Sequence, residues 1–177
     1  MLELITGGSG SGKSEYAENR AMELCGDSEP LIYLAAMKPY GEGAQKRIER
    51  HRKLREGKGF KTIEKYIDYA DVELPENATV LLECMSNLLA NEMFDAGGDF
   101  IRRIITGIEH IADSSKNLVI VTNDIFSDGV SYDKETERYM QALAEINRHL
   151  ASKAGRVVEV VYSIPNIIKG ERLACEL

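Results

Sequence analysis

The sequence predicts an α/β fold, in which helices flank a mostly parallel β-sheet. Short apolar runs alternate with longer amphipathic segments along the 177 residues. A continuous apolar run is typical of a strand that is buried on both faces, as strands are in a parallel sheet. Alternation of such strands with helices is the pattern of consecutive βαβ units. No internal repeat or linker divides the chain, so we expect one domain over residues 1–177.

Each element has its own signal in the sequence. The segments of strand character are 2–6, 31–36, 60–64, 79–84, 118–123, 156–162 and, as a short final strand, 165–169. The segments of helical composition are 15–25, 44–56, 86–94, 100–112 and 133–153. In 100–112 the isoleucines recur at the i, i+3, i+4 spacing of a core-facing helix. Residues 65–78 contain a proline and turn formers, and we expect a partly helical connection there.

Composition excludes several classes of protein. The 44% hydrophobic and 29% charged content is typical of a globular domain, and no apolar run approaches the ~18 residues of a membrane span. Residues 1–6 lack a basic segment, so no signal peptide is expected. The net charge of −7 argues against a nucleic-acid partner. Cys25, Cys84 and Cys175 are widely spaced, which favours reduced thiols and a cytoplasmic protein over a disulfide frame or a zinc site.

The segment after the first strand fits the phosphate-binding pattern G-x4-G-K-[ST]. Its members are Gly7, Gly8, Ser9, Gly10, Ser11, Gly12, Lys13 and Ser14. Glycines let successive backbone N–H groups converge on one anion, and the N-terminus of the following helix favours phosphate. We expect Lys13 to reach the β- and γ-phosphates and the Ser14 hydroxyl to bind Mg²⁺. A flexible Gly/Ser linker has a similar composition, but linkers rarely lie between a strand and a helix. The sequence therefore predicts a nucleotide-binding P-loop NTPase fold of the RecA-like type.

Two strand ends carry polar groups that could complete the site. Glu83 closes an apolar strand, where a carboxylate that binds Mg²⁺ or its waters is expected. An acidic strand end that merely faces water is the alternative. Asn123 and Asp124 follow the next apolar run and could supply a second carboxylate.

A basic helix contains the candidate nucleophile. Arg47, His51 and Arg55 are spaced i, i+4, i+8 and share one face. An imidazole between guanidinium groups suits phosphate anions, and neutral imidazole can accept a phosphoryl or nucleotidyl group covalently. A solvated basic helix or a nucleic-acid patch would have similar composition, although aromatic residues are absent from this stretch. His110 and His149 lack comparable neighbours and are expected to be surface or packing residues.

Together these motifs resemble the bifunctional adenosylcobinamide kinase / adenosylcobinamide-phosphate guanylyltransferase family. Residues 6–18 resemble its Thr-Gly-Gly phosphate loop and the Gly-Lys-Ser-x-x-Ala-Glu helix. Residues 47–55 are similar to its R-I-x-x-H-[RK] helix, and Glu64 ends a similar T-x-E segment. Residues 82–91 resemble its Leu-Glu/Asp-Cys segment, and residues 121–124 its V-[ST]-N-E strand end. The resemblance runs from residue 5 to about residue 170, in order.

The resemblance implies two reactions that use ATP or GTP with Mg²⁺. Adenosylcobinamide, a corrinoid, would be phosphorylated first, and GMP from GTP would then reach the phosphorylated product through a guanylyl-histidine. By position His51 would carry GMP, Lys13 and Glu83 would be catalytic, and Arg47, Arg52 and Glu64 would bind nucleotide. The family also suggests a homo-oligomer, a trimer. Differences from the family in the loops leave open which corrinoid or other alcohol is accepted. Two alternatives to this function remain: a P-loop kinase for another small alcohol, and a non-enzymatic nucleotide switch.

Overall fold

The computed structural model describes residues 1–126 and 129–171, and in that part the strands form one seven-stranded sheet. The strands are β1 (Leu2–Thr6), β2 (Leu31–Ala35), β3 (Lys61–Glu64), β4 (Thr79–Glu83), β5 (Asn117–Val121), β6 (Arg156–Val161) and β7 (Ile164–Lys169). Their order across the sheet is β3-β2-β4-β5-β1-β6-β7. All neighbours are parallel except β6 and β7, which form an antiparallel hairpin. The predicted mostly parallel sheet is confirmed.

Five α-helices occur in the described residues, and four of them pack on the two faces of this sheet. The five helices are α1 (Lys13–Leu24), α2 (Gly41–Arg55), α3 (Met85–Asn91), α4 (Phe100–Ser114) and α5 (Lys134–Lys153). The connection over residues 65–78 contains one short 3₁₀ turn, Tyr69–Asp71. The predicted α-helix over residues 86–94 is wrong at its C-terminal end, because the chain widens into a π-helical turn, Glu92–Ala96.

The π-helical turn has a packing cause that is remote in sequence. The buried Glu92 carboxylate accepts hydrogen bonds from the Asp68 backbone N–H at 2.7 Å and from Arg103 Nε at 2.7 Å. The Gly97 N–H donates to the Glu92 carbonyl at 2.9 Å, which is the i→i+5 bond of a π-helix. This wider turn accompanies a buried carboxylate paired with groups from two other segments.

The sheet separates two hydrophobic cores, as a sheet buried on both faces requires. Successive side chains of a strand point to opposite faces, so Leu4 joins one core and Ile5 the other. Helices α3, α4 and α5 cover the first core, where Ile104, Ile108 and Ile111 are buried as the periodicity predicts. Helix α1 covers the second core through small side chains, among them Ala17. Small residues let α1, and the loop that precedes it, lie close to the strand ends.

The parallel strands β1 to β6 all run in the same direction, so their carboxyl ends meet at one edge of the sheet. In such sheets, ligands bind at that edge. The loop between β1 and α1 lies there, together with the ends of β2, β3, β4 and β5.

Two further expectations concern the chain as a whole. No helix in the described part of the chain has the length and apolarity that crossing a bilayer requires. Cys25 and Cys84 are free thiols, whereas Cys175 lies outside the described residues.

Candidate active site

The loop between β1 and α1 is a tight turn that glycines make possible. Gly12 directly precedes α1 and has φ +91°, in the left-handed region. A Cβ on Gly12 would lie 2.4 Å from the Ser163 hydroxyl oxygen, so the hairpin of β6 and β7 also closes against this loop. A Cβ on Gly7 would lie 2.5 Å from the Val160 carbonyl oxygen. The backbone at these two positions has no room for a larger residue.

Lys13, the first residue of α1, is held inside this loop. Its ammonium donates to the Gly8 carbonyl at 2.9 Å, and the residue is only 8% exposed. Burial lowers the pKa of Lys13 below its usual value, although the neighbouring Cys84 and Glu83 act in the opposite direction. A buried ammonium beside converging backbone amides is arranged to neutralise phosphate charge.

Glu83, at the end of β4, lies against the start of α1. The Ser14 hydroxyl donates to Glu83 Oε1 at 2.5 Å, and the Tyr33 hydroxyl donates to Glu83 Oε2 at 3.1 Å. Burial, and then the negative charge of Glu83, raise the pKa of Tyr33, so the phenol remains a donor. A hydroxyl and a carboxylate oxygen in direct contact are the hard oxygen ligands that Mg²⁺ prefers, so Ser14 and Glu83 fit the predicted magnesium pair.

Helix α2 brings the candidate nucleophile to the same carboxylate. His51 Nδ1 lies 3.6 Å from Glu83 Oε2, and this nitrogen is buried without a hydrogen-bond partner in the described part of the chain. The His51 side chain as a whole is 22% exposed. Four residues later, the Arg55 guanidinium stacks 3.3 Å from the centre of the Tyr33 ring. The basic helix is therefore anchored to the sheet through its His51–Arg55 face.

A second set of charges lies at the exposed rim of the site. Arg52 Nη2 donates to Glu64 Oε1 at 2.9 Å, and the Tyr66 hydroxyl donates to Glu64 Oε2 at 2.9 Å. Arg47 is exposed and donates to the carbonyl of Gly43, one turn earlier in α2. Arg52 and Glu64 are 63% and 48% exposed, so this pair is solvated.

The end of β5 contributes a polar network. The Asn123 amide donates to the Ser86 hydroxyl at 2.5 Å, and Ser86 in turn lies 3.1 Å from Cys84 Sγ. The Asn87 amide donates to the same sulfur at 3.0 Å. Asp124 Oδ1 accepts from the Phe126 backbone N–H at 3.2 Å, so part of this carboxylate orders its own turn. The Asp124 backbone N–H donates to the Gly7 carbonyl at 3.1 Å, so the end of β5 is joined to the phosphate loop.

One cavity of about 670 Å³ joins these groups. It is lined by most of the predicted site residues, namely Ser9, Gly10, Ser11, Gly12, Lys13, Ser14, Arg47, His51, Arg52, Glu64 and Glu83, and by Asn123 and Asp124. Gly7 and Gly8 belong to the same loop but are not among the residues that line the cavity. The volume falls in the range of small-molecule and cofactor sites.

Four side chains at or beside the site were not predicted from the sequence. Tyr33 lies in an apolar run, and its hydroxyl was the only signal that it meets a polar group. Glu18 is fully buried on α1 and pairs with Lys58 at 2.6 Å. Ser86 and Asn87 lie in the first turn of α3, and nothing in their spacing indicates that they line a cavity.

Comparison with known proteins gives a consistent result. Residues 3–168 match the family model of CobU, described as cobinamide kinase / cobinamide phosphate guanyltransferase. The bifunctional adenosylcobalamin biosynthesis protein CobU of Escherichia coli (strain K12) is 30% identical, over 96% of this chain and 100% of that protein. The protein of the same name from Salmonella typhimurium is 27% identical, also over 96% of this chain and 100% of its own length.

The solved structures support the fold. The flagellar accessory protein FlaH from Methanocaldococcus jannaschii is 12% identical and superposes with a TM-score of 0.50, over 96% of this chain and 78% of that chain. At this identity the likeness shows the fold alone, which agrees with the predicted RecA-like P-loop type. Because the family model matches nearly the whole chain, this protein belongs to the cobinamide kinase / cobinamide phosphate guanyltransferase family.

Proposed function

We propose that the protein phosphorylates adenosylcobinamide with ATP or GTP and then transfers GMP from GTP, through His51, to give adenosylcobinamide-GDP. The observation that carries this proposal is the position of His51 in the same cavity as the phosphate loop, 3.6 Å from Glu83. A nucleotide on the phosphate loop and the candidate nucleophile therefore share one space. Membership of the family supports both reactions.

In the first reaction the hydroxyl oxygen of the corrinoid side chain attacks the γ-phosphorus, and the nucleoside diphosphate leaves. The backbone amides of residues 8–14 and the Lys13 ammonium hold the phosphates in line and offset their charge. When bound by Ser14 and Glu83, Mg²⁺ supplies further charge neutralisation on the phosphate oxygens. Asn123, Ser86 and Asn87 line the same cavity, and their polar groups can donate hydrogen bonds to the corrinoid that accepts the phosphoryl group.

In the second reaction His51 attacks the α-phosphorus of GTP and pyrophosphate leaves. With the proton on Nδ1, the nitrogen that lies 3.6 Å from Glu83 Oε2, the other nitrogen, Nε2, has the lone pair that forms the P–N bond. The negative charge that develops on the phosphate oxygens is stabilised by the cations Lys13, Arg47 and Arg52. Glu64, at the rim of the cavity, binds the nucleotide through its carboxylate. The phosphate of adenosylcobinamide phosphate then attacks the same phosphorus, and His51 leaves as neutral imidazole.

Incubation with GTP and Mg²⁺ followed by intact-mass measurement tests the covalent step. We expect one GMP per chain, labile in acid and stable in alkali, as a phosphoramidate is. His51→Asn should not be labelled, whereas the matched variant His149→Asn, on the surface of α5, should be labelled as the wild type is. Phosphorylation of an alcohol without any GMP adduct would instead favour a kinase that lacks the second activity.

We also propose that the protein acts in the cytoplasm as a homo-oligomer, a trimer by family resemblance. The free thiols of Cys25 and Cys84 agree with a reducing compartment. Tyr162, Ile164 and Ile168 expose apolar surface along the edge of the sheet, which supports assembly there. Sedimentation velocity at micromolar concentration measures the assembly, and a monomer throughout would contradict it.

A further inference from the structure

Three ionisable side chains from different elements converge beside the phosphate loop. They are Glu18 of α1, His51 of α2 and Glu83 at the end of β4, and one ligand atom of each lies within 4.8 Å of the others. Glu18 and Glu83 are buried, with exposures of 0% and 7%. The proposed reactions use His51 and Glu83 but assign no role to Glu18.

The polar atoms of this cluster are incompletely paired. Glu18 Oε1 and His51 Nδ1 are buried without a hydrogen-bond partner among residues 1–126 and 129–171. The other Glu18 oxygen accepts from Lys58 at 2.6 Å. Buried polar atoms without partners are uncommon, and a bound water or ion is one of the arrangements that satisfies them. When Nδ1 carries its lone pair, the cluster presents three acceptors around one point, and a water molecule has only two protons to give them.

A metal dication can be bound by three such acceptors at once. One imidazole nitrogen with two carboxylate oxygens is a donor set for Zn²⁺, Mn²⁺ or Co²⁺, whereas Mg²⁺ and Ca²⁺ select oxygen ligands. Ligands of tetrahedral Zn²⁺ lie about 3.4 Å apart, for metal–ligand distances of about 2.1 Å. The 3.6 Å between His51 Nδ1 and Glu83 Oε2 is near that value, and Glu18, within 4.8 Å of both, needs to approach by at most about 1.4 Å.

The neighbouring charges allow this movement. Lys58 is 24% exposed on the loop after α2, so its ammonium can turn to solvent when a dication replaces it at Glu18. Two further cations lie nearby, Lys13 near Glu83 and Arg55 stacked on Tyr33. Their positive charges repel a dication and limit the affinity of the cluster for it. Ser14 contacts Oε1 of Glu83, whereas His51 is nearest to Oε2. The cluster is therefore separate from the Ser14–Glu83 pair proposed for Mg²⁺, although the two share one carboxylate.

We propose that Glu18, His51 and Glu83 form an inhibitory site for a transition-metal dication. Neutral imidazole has one basic lone pair, on the ring nitrogen that carries no proton. A metal on Nδ1 takes that lone pair and leaves the proton on Nε2, so His51 cannot attack phosphorus while the metal is bound. Metal binding and guanylylation thus exclude each other. This second half of the proposal rests on the proposed function, whereas the metal site itself does not.

Calorimetric titration of the nucleotide-free protein with ZnCl₂ tests the site directly. We expect one Zn²⁺ per chain, with an affinity at least about tenfold weaker in Glu18→Gln and in His51→Asn. Glu23→Gln removes an exposed carboxylate from the same helix and should bind as the wild type does. His149→Asn, which breaks a surface pair with Glu109, should also have no effect. Circular dichroism before titration shows that each variant is folded.

Guanylylation in buffered free Zn²⁺ tests the consequence. The rate of GMP incorporation by the wild type should fall with Zn²⁺ over the range in which calorimetry shows binding, and Glu18→Gln should need at least about tenfold more Zn²⁺ for the same inhibition. Equal Zn²⁺ affinity of Glu18→Gln and the wild type would overturn the site. Undiminished GMP incorporation by the Zn²⁺-bound protein would overturn the inhibition. Absence of labelling without Zn²⁺ would instead count against the proposed function, and the calorimetric result would stand.

Discussion

Replacing Tyr33 by phenylalanine removes one hydroxyl from the centre of the site and leaves the ring in place. That hydroxyl donates to Glu83 Oε2 at 3.1 Å, and Tyr33 is 5% exposed. A hydrogen bond to a charged group contributes about 1.5–3 kcal/mol, and Glu83 is only 7% exposed to water that could replace the lost donor. Ser14 still donates to the other Glu83 oxygen, so we expect the lower part of this range.

The ring makes a separate contribution. Arg55 stacks on it at 3.3 Å, and Phe60 meets it edge-on at 6.2 Å between centroids. Phenylalanine retains both contacts, whereas leucine loses both, at a further cost of about 1–3 kcal/mol. Tyr33→Leu should therefore be clearly less stable than Tyr33→Phe.

Urea unfolding of nucleotide-free protein measures these differences. Tyr66→Phe is the matched control, because its hydroxyl also donates to a carboxylate, Glu64 at 2.9 Å, but on the partly exposed rim. Loss of a solvated pair should change the free energy of unfolding by about 0.5 kcal/mol or less. If Tyr33→Phe costs no more than Tyr66→Phe, the reasoning about Glu83 is refuted.

Other predictions concern stability and nucleotide binding. Arg20 pairs with the buried Glu3 through two hydrogen bonds of 2.8 and 2.6 Å. Arg20→Met should therefore lower the free energy of unfolding by about 3 kcal/mol. The control variant Arg102→Met, at an exposed position, should change it by about 0.5 kcal/mol or less. Equal urea midpoints for the two variants would contradict this. Because burial lowers the pKa of Lys13, its neutral form appears at a lower pH than for an ordinary lysine. The affinity for GTP should therefore weaken as the pH rises towards that pKa, and fluorescence titration of Lys13→Met should show a weak affinity without this step.

Local patterns made much of the fold and part of the site predictable. The phosphate loop could be predicted from the spacing of its glycines, because the left-handed backbone at Gly12 is a local requirement that glycine meets. The strand end at Glu83 follows from an uninterrupted apolar run. The core face of α4 follows from the isoleucine period, and Ile104 and Ile108 are buried accordingly.

What could not be predicted depends on pairing between distant segments. Tyr33 meets Glu83 because of the register between β2 and β4, which sets Tyr33 opposite Leu81. Glu83 lies two residues after Leu81, so the side chains of Tyr33 and Glu83 are on the same face of the sheet. The sequence contains no signal for that register. The π-helical turn at Glu92 likewise depends on Asp68 and Arg103, which approach only in the folded chain. Glu18 was predicted only as part of a helix, and its approach to His51 arises only in the folded chain, because the two residues lie on different helices.

The central claim is that His51 carries GMP between two substrates bound in one cavity. A chase experiment tests it most directly: protein labelled with GMP is separated from GTP and then mixed with adenosylcobinamide phosphate. We predict that the intact mass returns to that of the unlabelled chain at the rate at which adenosylcobinamide-GDP forms, and that peptide mapping before the chase places GMP on His51. Product that forms from GTP while the label stays on the protein, or a label on another residue, would contradict the account.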